Sequence, residues 1–276
     1  MAVGLALLAA FVYGSADFFG GLASRKTAPV AVVVLSQLAG FVVLALAWFV
    51  LPGRFYWSDV GLGVAAGFGG AIGIAALYAA LAAGRMGVVS PITAVVGASV
   101  PVVVGLALHE RPSGIALIGV ALAFVAVALV SANAETKRIS WREPGVGLAL
   151  VSGLGIGVLY VFLAGAHRDA GVALLATTRV TSLLLLSTFA LVRRESLRPA
   201  PNSLGIILLA GALDMFANVL YFCAARIGLL ALVAVLTSLY PASTVFLARI
   251  LLGERLLPAQ WAGVAVATVG VVLIAL

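Results

Sequence analysis

The 276-residue chain is 64% hydrophobic and only 9% charged, with a mean hydropathy of +1.26. Soluble domains carry roughly 25% charged residues, and no polar stretch here is long enough to build one, so composition excludes a soluble enzyme or binding domain and leaves an integral membrane protein. The formal charge of +7 falls mostly in short loops between apolar runs, where it reads as a topology signal, so the expected partner is the lipid bilayer and not nucleic acid.

Charges, prolines and helix-start signals divide the chain into ten runs: 2–23, 29–51, 59–83, 88–108, 112–132, 144–166, 171–192, 203–225, 229–250 and 258–276. Each is near the roughly 20 residues that cross a hydrocarbon core as a helix. Pro29, Ser58-Asp59, Pro112, Pro144 and Pro258 supply the start signals. No lysine or arginine precedes the first run, so it is expected to be a retained span and not a cleaved signal. Within it, "FVYGSADFFGG" (11–21) places Asp17 in an otherwise apolar stretch, on a stripe with Tyr13, Gly14 and Gly21.

The third run carries Gly63, Gly67, Gly69 and Gly73 at four-residue spacings, which let a neighbouring helix approach closely. Pro91 and Pro101 in the fourth run and Pro241 in the ninth each remove an amide donor and are expected to loosen their helices, as suits moving parts. Glu110 and Glu254 stand just ahead of the fifth and tenth runs. There a carboxylate is favoured by the following helix's dipole and free amides, so both are structural or gating candidates.

In the seventh run, Arg179 lies about eight residues in, hence roughly 12 Å along the helix and near mid-membrane. Thr177, Thr178, Thr181 and Ser182 surround it in sequence. The eighth run places Gly211, Asp214, Asn218 and Tyr221 on one polar stripe. Cys223, the single cysteine, excludes an intrachain disulfide. His109 and His167 have no second ligand at metal spacing, so no metal site is expected.

The two halves resemble each other. "LYAALAAGRMG" (77–87) recurs as "LYFCAARIG" (220–228), and "HERPSGIALIGVALAFVAVALV" (109–130) recurs as "GERLLPAQWAGVAVATVGVVLI" (253–274). We read a first five-helix repeat over 1–132, a connector "NAETKRISWRE" over 133–143 and a second repeat over 144–276. An odd number of crossings per copy makes the second copy enter the membrane upside down, so the fold class is an all-α membrane protein of ten transmembrane helices in two inverted repeats. By register with the repeat, Asp17, Arg179 and Asp214 match positions near Val158, Gln37 and Ala71, so the scaffold itself does not require the charges.

The halves are similar to the duplicated unit of the EamA-like family in the drug/metabolite transporter superfamily. The resemblance is carried by "YGSADFFGG" in the first run, "YPASTVFLARILLGERLLPAQWAGVAVATVGVVLIAL" at 240–276 and the matching stretch 101–130. It covers essentially the whole chain. It implies a secondary transporter of small metabolites, amino acids among them, or of toxic compounds, working mostly as an exporter, with both termini in the cytoplasm.

Intramembrane charges are functional by default. Asp17, Arg179, Asp214, Asn218, Tyr13 and Tyr221 are therefore the substrate-binding or coupling candidates. A buried Arg179–Asp214 ion pair that only fixes packing is the structural alternative. An arginine with two carboxylates suits a small zwitterionic metabolite, with protons as the candidate coupling ion at Asp17. A multidrug carrier is the alternative within the class. A membrane-embedded enzyme would need a cluster of catalytic groups and a channel would need a filter or charge ring; the sequence shows neither, so no catalytic residue and no cofactor is expected. The expected location is a prokaryotic plasma (inner) membrane.

Charge bias makes one prediction against the resemblance. Arg25, Lys26, Arg85, Lys137, Arg138, Arg142, Arg193, Arg194, Arg198, Arg249 and Arg255 share one side, against Arg54, Arg111, Arg168 and Arg226 on the other. The positive-inside rule puts the first group in the cytoplasm and both termini outside. A reporter that is active only in the cytoplasm should be silent when fused after Leu276; an active fusion reverses the orientation.

Overall fold

A chain in lipid has no water to satisfy its backbone, so each crossing closes its own hydrogen bonds as a helix. The computed structural model describes residues 1–51, 53–83, 86–130, 145–252 and 257–276. Among these, the helices are α1 (Ala2–Ser24), α2 (Pro29–Val50), α3 (Trp57–Ala83), α4 (Met86–Ala107), α5 (Gly114–Val130), α6 (Val146–Ala164), α7 (Ala173–Arg193), α8 (Leu204–Ala225), α9 (Leu230–Thr237), α10 (Tyr240–Leu252) and α11 (Pro258–Ala275). Ten crossings account for all eleven, because α9 and α10 are two pieces of one span. Large apolar side chains such as Phe11, Val42, Phe68 and Leu184 remain exposed on the outer faces, where lipid covers them.

The break in the ninth span follows from Pro241. Lacking an amide hydrogen, Pro241 gives the Thr237 carbonyl no donor, and its ring crowds that carbonyl; α9 ends at Thr237 and α10 restarts at Tyr240. Pro241 then occupies the first turn of α10, where a missing N–H costs nothing. The fourth span does not break in this way. Pro91 and Pro101 both lie inside α4, which continues through them.

Two start signals also shift. Helix α5 begins at Gly114, with Ser113 Oγ accepting from the Ala116 amide at 3.1 Å; Ser113 caps it, and Pro112 lies before the cap. Glu110 does not serve α5 at all. Its carboxylate accepts from the amides of Leu230 and Ala231 at 2.6 and 3.0 Å, capping α9 of the other half. The physical reason for the acid was sound, since free amides at a helix start attract a carboxylate, but the helix it serves comes from the partner repeat. Glu254 lies outside the described residues.

Packing is exchanged between halves. Helix α3 lies against α6 and α7, and α8 lies correspondingly against α1 and α2; α4 packs on α6 as α10 packs on α1; α5 pairs with α11, and α2 with α7. Swapping the two halves maps this set onto itself, which is the inverted-repeat symmetry. Few of the large interfaces join helices of one half, so the repeats interleave and share one core.

Small residues make the crossings possible, because lipid tails are as apolar as the helices and close backbone approach must supply the attraction. A Cβ on Gly211 of α8 would overlap the Ser36 carbonyl of α2, and one on Gly67 of α3 would crowd the Thr178 carbonyl of α7. These are the same crossing in the two halves. Gly14 of α1 against the Tyr240 carbonyl likewise matches Gly157 of α6 against the Gly97 carbonyl. That register sets Asp17 opposite Tyr160, two residues from Val158.

Gly211→Ala should force α8 off α2 and lower stability by about 1–3 kcal/mol, the usual cost of overpacking. Gly4→Ala, where a methyl meets nothing within 4 Å, should not. Thermal unfolding of the two variants in detergent separates them, and equal midpoints refute the tight crossing.

Candidate functional site

The crossings bring the middle of α2 beside the middle of α7, and their mid-membrane polar residues meet. Arg179 Nη1 donates to Gln37 Oε1, and Gln37 Nε2 in turn donates to Ser182 Oγ at 2.7 Å. Gln37 and Arg179 occupy equivalent positions in the two repeats, so their contact lies on the pseudo-two-fold axis. From α8, Asp214 Oδ2 accepts from Arg179 Nη2 at 2.8 Å, and Met215 Sδ lies 3.0 Å from the same nitrogen. The guanidinium is nearly enclosed, with a side-chain exposure of 6% against 21% for Asp214. Of its five N–H donors, these contacts leave two for another acceptor.

Beside this pair is a cavity of about 60 Å³, lined by Tyr13, Asp17, Gln37, Tyr160, Arg179, Asp214, Asn218 and Tyr240 among others. One water needs roughly 10–15 Å³, so the cavity suits a few waters or one small solute. Asp17 is buried, and among the described residues its carboxylate accepts no hydrogen bond. Asn218 Nδ2 donates to the Asp214 carbonyl at 2.8 Å, which leaves its side-chain oxygen uncommitted.

Five of the sequence candidates, Tyr13, Asp17, Arg179, Asp214 and Asn218, therefore line one cavity. Tyr221 does not join them. It is fully buried, stacked on Tyr160 at 4.2 Å, and its hydroxyl donates to the Tyr160 carbonyl at 3.3 Å. The eighth-span stripe divides, with Gly211 and Tyr221 in helix contacts and only its middle in the cavity. Sequence reasoning overlooked Gln37, Tyr160 and Tyr240 as cavity residues. Gln37 carried a signal, as a lone amide in an apolar run; the tyrosines looked like ordinary core.

A second polar cluster joins loops of the two repeats at the face that carries the termini. Buried Asp59 lies in the first turn of α3, as a start signal should, and its Oδ1 also meets His167 Nδ1 at 2.9 Å. Tyr56 stacks on His167 at 4.0 Å, and its hydroxyl donates to both oxygens of Asp169 at 2.9 and 2.8 Å. That bond holds Asp169 below the usual aspartate range and raises Tyr56. Backbone bonds from Arg54 N to the Asp169 carbonyl and from Gly171 N to the Arg54 carbonyl complete the clasp between the two repeats. At the opposite face, the Ala200 amide donates to Thr27 Oγ1 at 3.0 Å across the equivalent pair of loops.

A family model described as the EamA-like transporter family matches residues 1–132 and again 143–276. No curated protein matches the chain. A solved crystal structure of a protein aligns with a TM-score of 0.80 at 15% identity, over 99% of this chain and 95% of that one, a likeness of fold.

The ion pair makes a stability prediction. Arg179→Gln strands Asp214 and should cost about 3–5 kcal/mol, as broken buried pairs do. Adding Asp214→Asn should recover more than half of the lost thermal stability, because the partners are coupled. Additive losses in the double variant contradict a coupled pair.

Proposed function

The chain belongs to the EamA-like transporter family, and we propose that this multi-pass membrane transporter exports a small zwitterionic metabolite by alternating access, from a prokaryotic plasma membrane. The observation that carries this reading is the convergence in one cavity of Asp17, a carboxylate without a hydrogen-bond partner among the described residues, and an arginine already anchored by Asp214 and Gln37. Intramembrane charges on a shared interior surface mark solute or ion pathways.

Each group then has a task. The two uncommitted N–H donors of Arg179 bind the anionic end of the solute, while Asp214 and Gln37 hold the guanidinium in one orientation. Asp17 takes either the solute's ammonium or a proton. Desolvation disfavours a bare carboxylate, so the two cations compete for one site. Export of the solute is thereby exchanged for proton entry. The position of Arg179 on the pseudo-two-fold axis keeps it central when the repeats exchange conformations.

In proteoliposomes, Asp17→Asn should retain solute exchange without a pH gradient but lose accumulation driven by one. A variant that still concentrates solute like wild type removes Asp17 as the coupling group. The Arg179→Gln/Asp214→Asn double variant should fold and yet not transport; wild-type transport would remove Arg179 from solute binding.

A further inference from the structure

The crossing of α3 and α7 also shapes the lipid-facing surface. Gly63 and Gly67 bring α3 onto the Leu174 and Thr178 carbonyls of α7, whereas Gly69 and Gly73, further along α3, face Gly155 and Ile156 of α6. Beyond the crossing a crevice of about 640 Å³ follows α7, lined among others by Phe68, Thr181, Leu184, Thr188, Val192 and Arg193. The α7 positions recur at three- and four-residue spacings and so make up one face of the helix. Phe68, Leu184 and Val192 are exposed there.

Length, polarity and charge each restrict what can fill this crevice. Thr181 to Arg193 spans about 18 Å along α7, close to the roughly 15 Å depth of one leaflet's hydrocarbon. The lining is apolar apart from its threonines until it reaches Arg193, in the last turn of the helix. There the Ala200 amide, bonded to Thr27 Oγ1, ties the α7–α8 loop to the α1–α2 loop. Arg25, Lys26, Arg193, Arg194 and Arg198 are all exposed at this face, and Glu195 is the one carboxylate in the two loops. The end of α7 carries partial negative charge of its own, so an anion here must be held by side chains and not by backbone.

We propose that the crevice binds an anionic phospholipid, with one acyl chain along α7 outward from Thr181 and the phosphate on Arg193. A guanidinium fork matches a phosphate in two parallel hydrogen bonds. A second copy of the chain in the same orientation would set an identical cationic cluster against this one, which like charges oppose. The site belongs to one repeat alone. By the register that pairs Arg179 with Gln37, Leu51 stands where Arg193 would be, so the equivalent end of α2 lacks the cation.

The test titrates the purified, delipidated full chain with phosphatidylglycerol and with phosphatidylcholine of identical acyl chains, and with glycerol phosphate as the headgroup alone. Native mass spectrometry reads bound lipid and oligomeric state together. Phosphatidylglycerol should bind at least about tenfold more tightly than phosphatidylcholine, the order of worth of a hydrogen bond between charged groups, and glycerol phosphate should not bind at the same concentrations. Arg193→Gln should remove most of that preference, whereas Arg198→Gln, an equal loss of charge outside the crevice lining, should keep it. Thr188→Trp fills the crevice and should weaken both lipids alike. Equal binding of the two lipids, equal losses in the two arginine variants, or full lipid binding by Thr188→Trp overturns the site. Glycerol phosphate binding as tightly as phosphatidylglycerol overturns it in favour of a soluble phosphate. A dimer that excludes phosphatidylglycerol and is dissolved by Thr188→Trp overturns it in favour of a second copy.

Discussion

Close backbone contact between α2 and α8, and between α3 and α7, is the constraint on which the remaining structure depends. Gly211 against the Ser36 carbonyl and Gly67 against the Thr178 carbonyl fix where four helices cross. Residue 37 follows residue 36, and residue 179 follows residue 178. Once the crossings are made, the two polar side chains next to them have little choice but to meet. The Gln37–Arg179 contact is thus a product of glycine placement in other helices, and Asp214, one turn beyond Gly211, is delivered to the same guanidinium by the same approach.

The scaffold and the chemistry obey different rules. Helix pairing is symmetric under exchange of the repeats, whereas the polar lining is not: arginine faces glutamine, and aspartate on α1 corresponds to Tyr160 on α6. A duplicated frame allows this division, because packing residues must satisfy the interfaces in both copies while a cavity residue answers only to what it binds. The two faces differ in the same way. One is held by the His167–Asp59 and Tyr56–Asp169 pairs, the other among the described residues by Thr27 and the Ala200 amide. Among the described residues, the clasp rich in titratable groups lies on the face that carries the termini.

Much of this was legible in the sequence, because the features that specify a membrane bundle are local. Run lengths, the repeat and the mid-span charges need no knowledge of partners, and the second run, 29–51, matches α2 at Pro29–Val50. What escaped notice depends on the other half of the chain. Glu110 was assigned to the helix beside it in sequence when its amides come from α9. Asp59 reads as a helix start, and only the fold brings His167 to it. Pro101 and Pro241 look alike as letters, yet α4 continues and the ninth span breaks. Register within Gly- and Ala-rich helices is also weakly marked, so the sequence placed the counterpart of Asp17 only near Val158, and the packing narrows it to Tyr160.

Interleaving has a consequence for biosynthesis. Helix α1 finds its main neighbours in α8 and α10, so it enters the bilayer long before they exist. Between the end of α1 at Ser24 and the start of α8 at Leu204 lie about 180 residues, which at roughly 5–20 residues per second take on the order of ten to forty seconds to translate. Throughout that interval Asp17 sits in a helix whose partners are still unmade. While α3, α4, α6 and α7 can already pack on one another, the nascent α1 must be sheltered by the insertion machinery or by lipid until the last helices arrive.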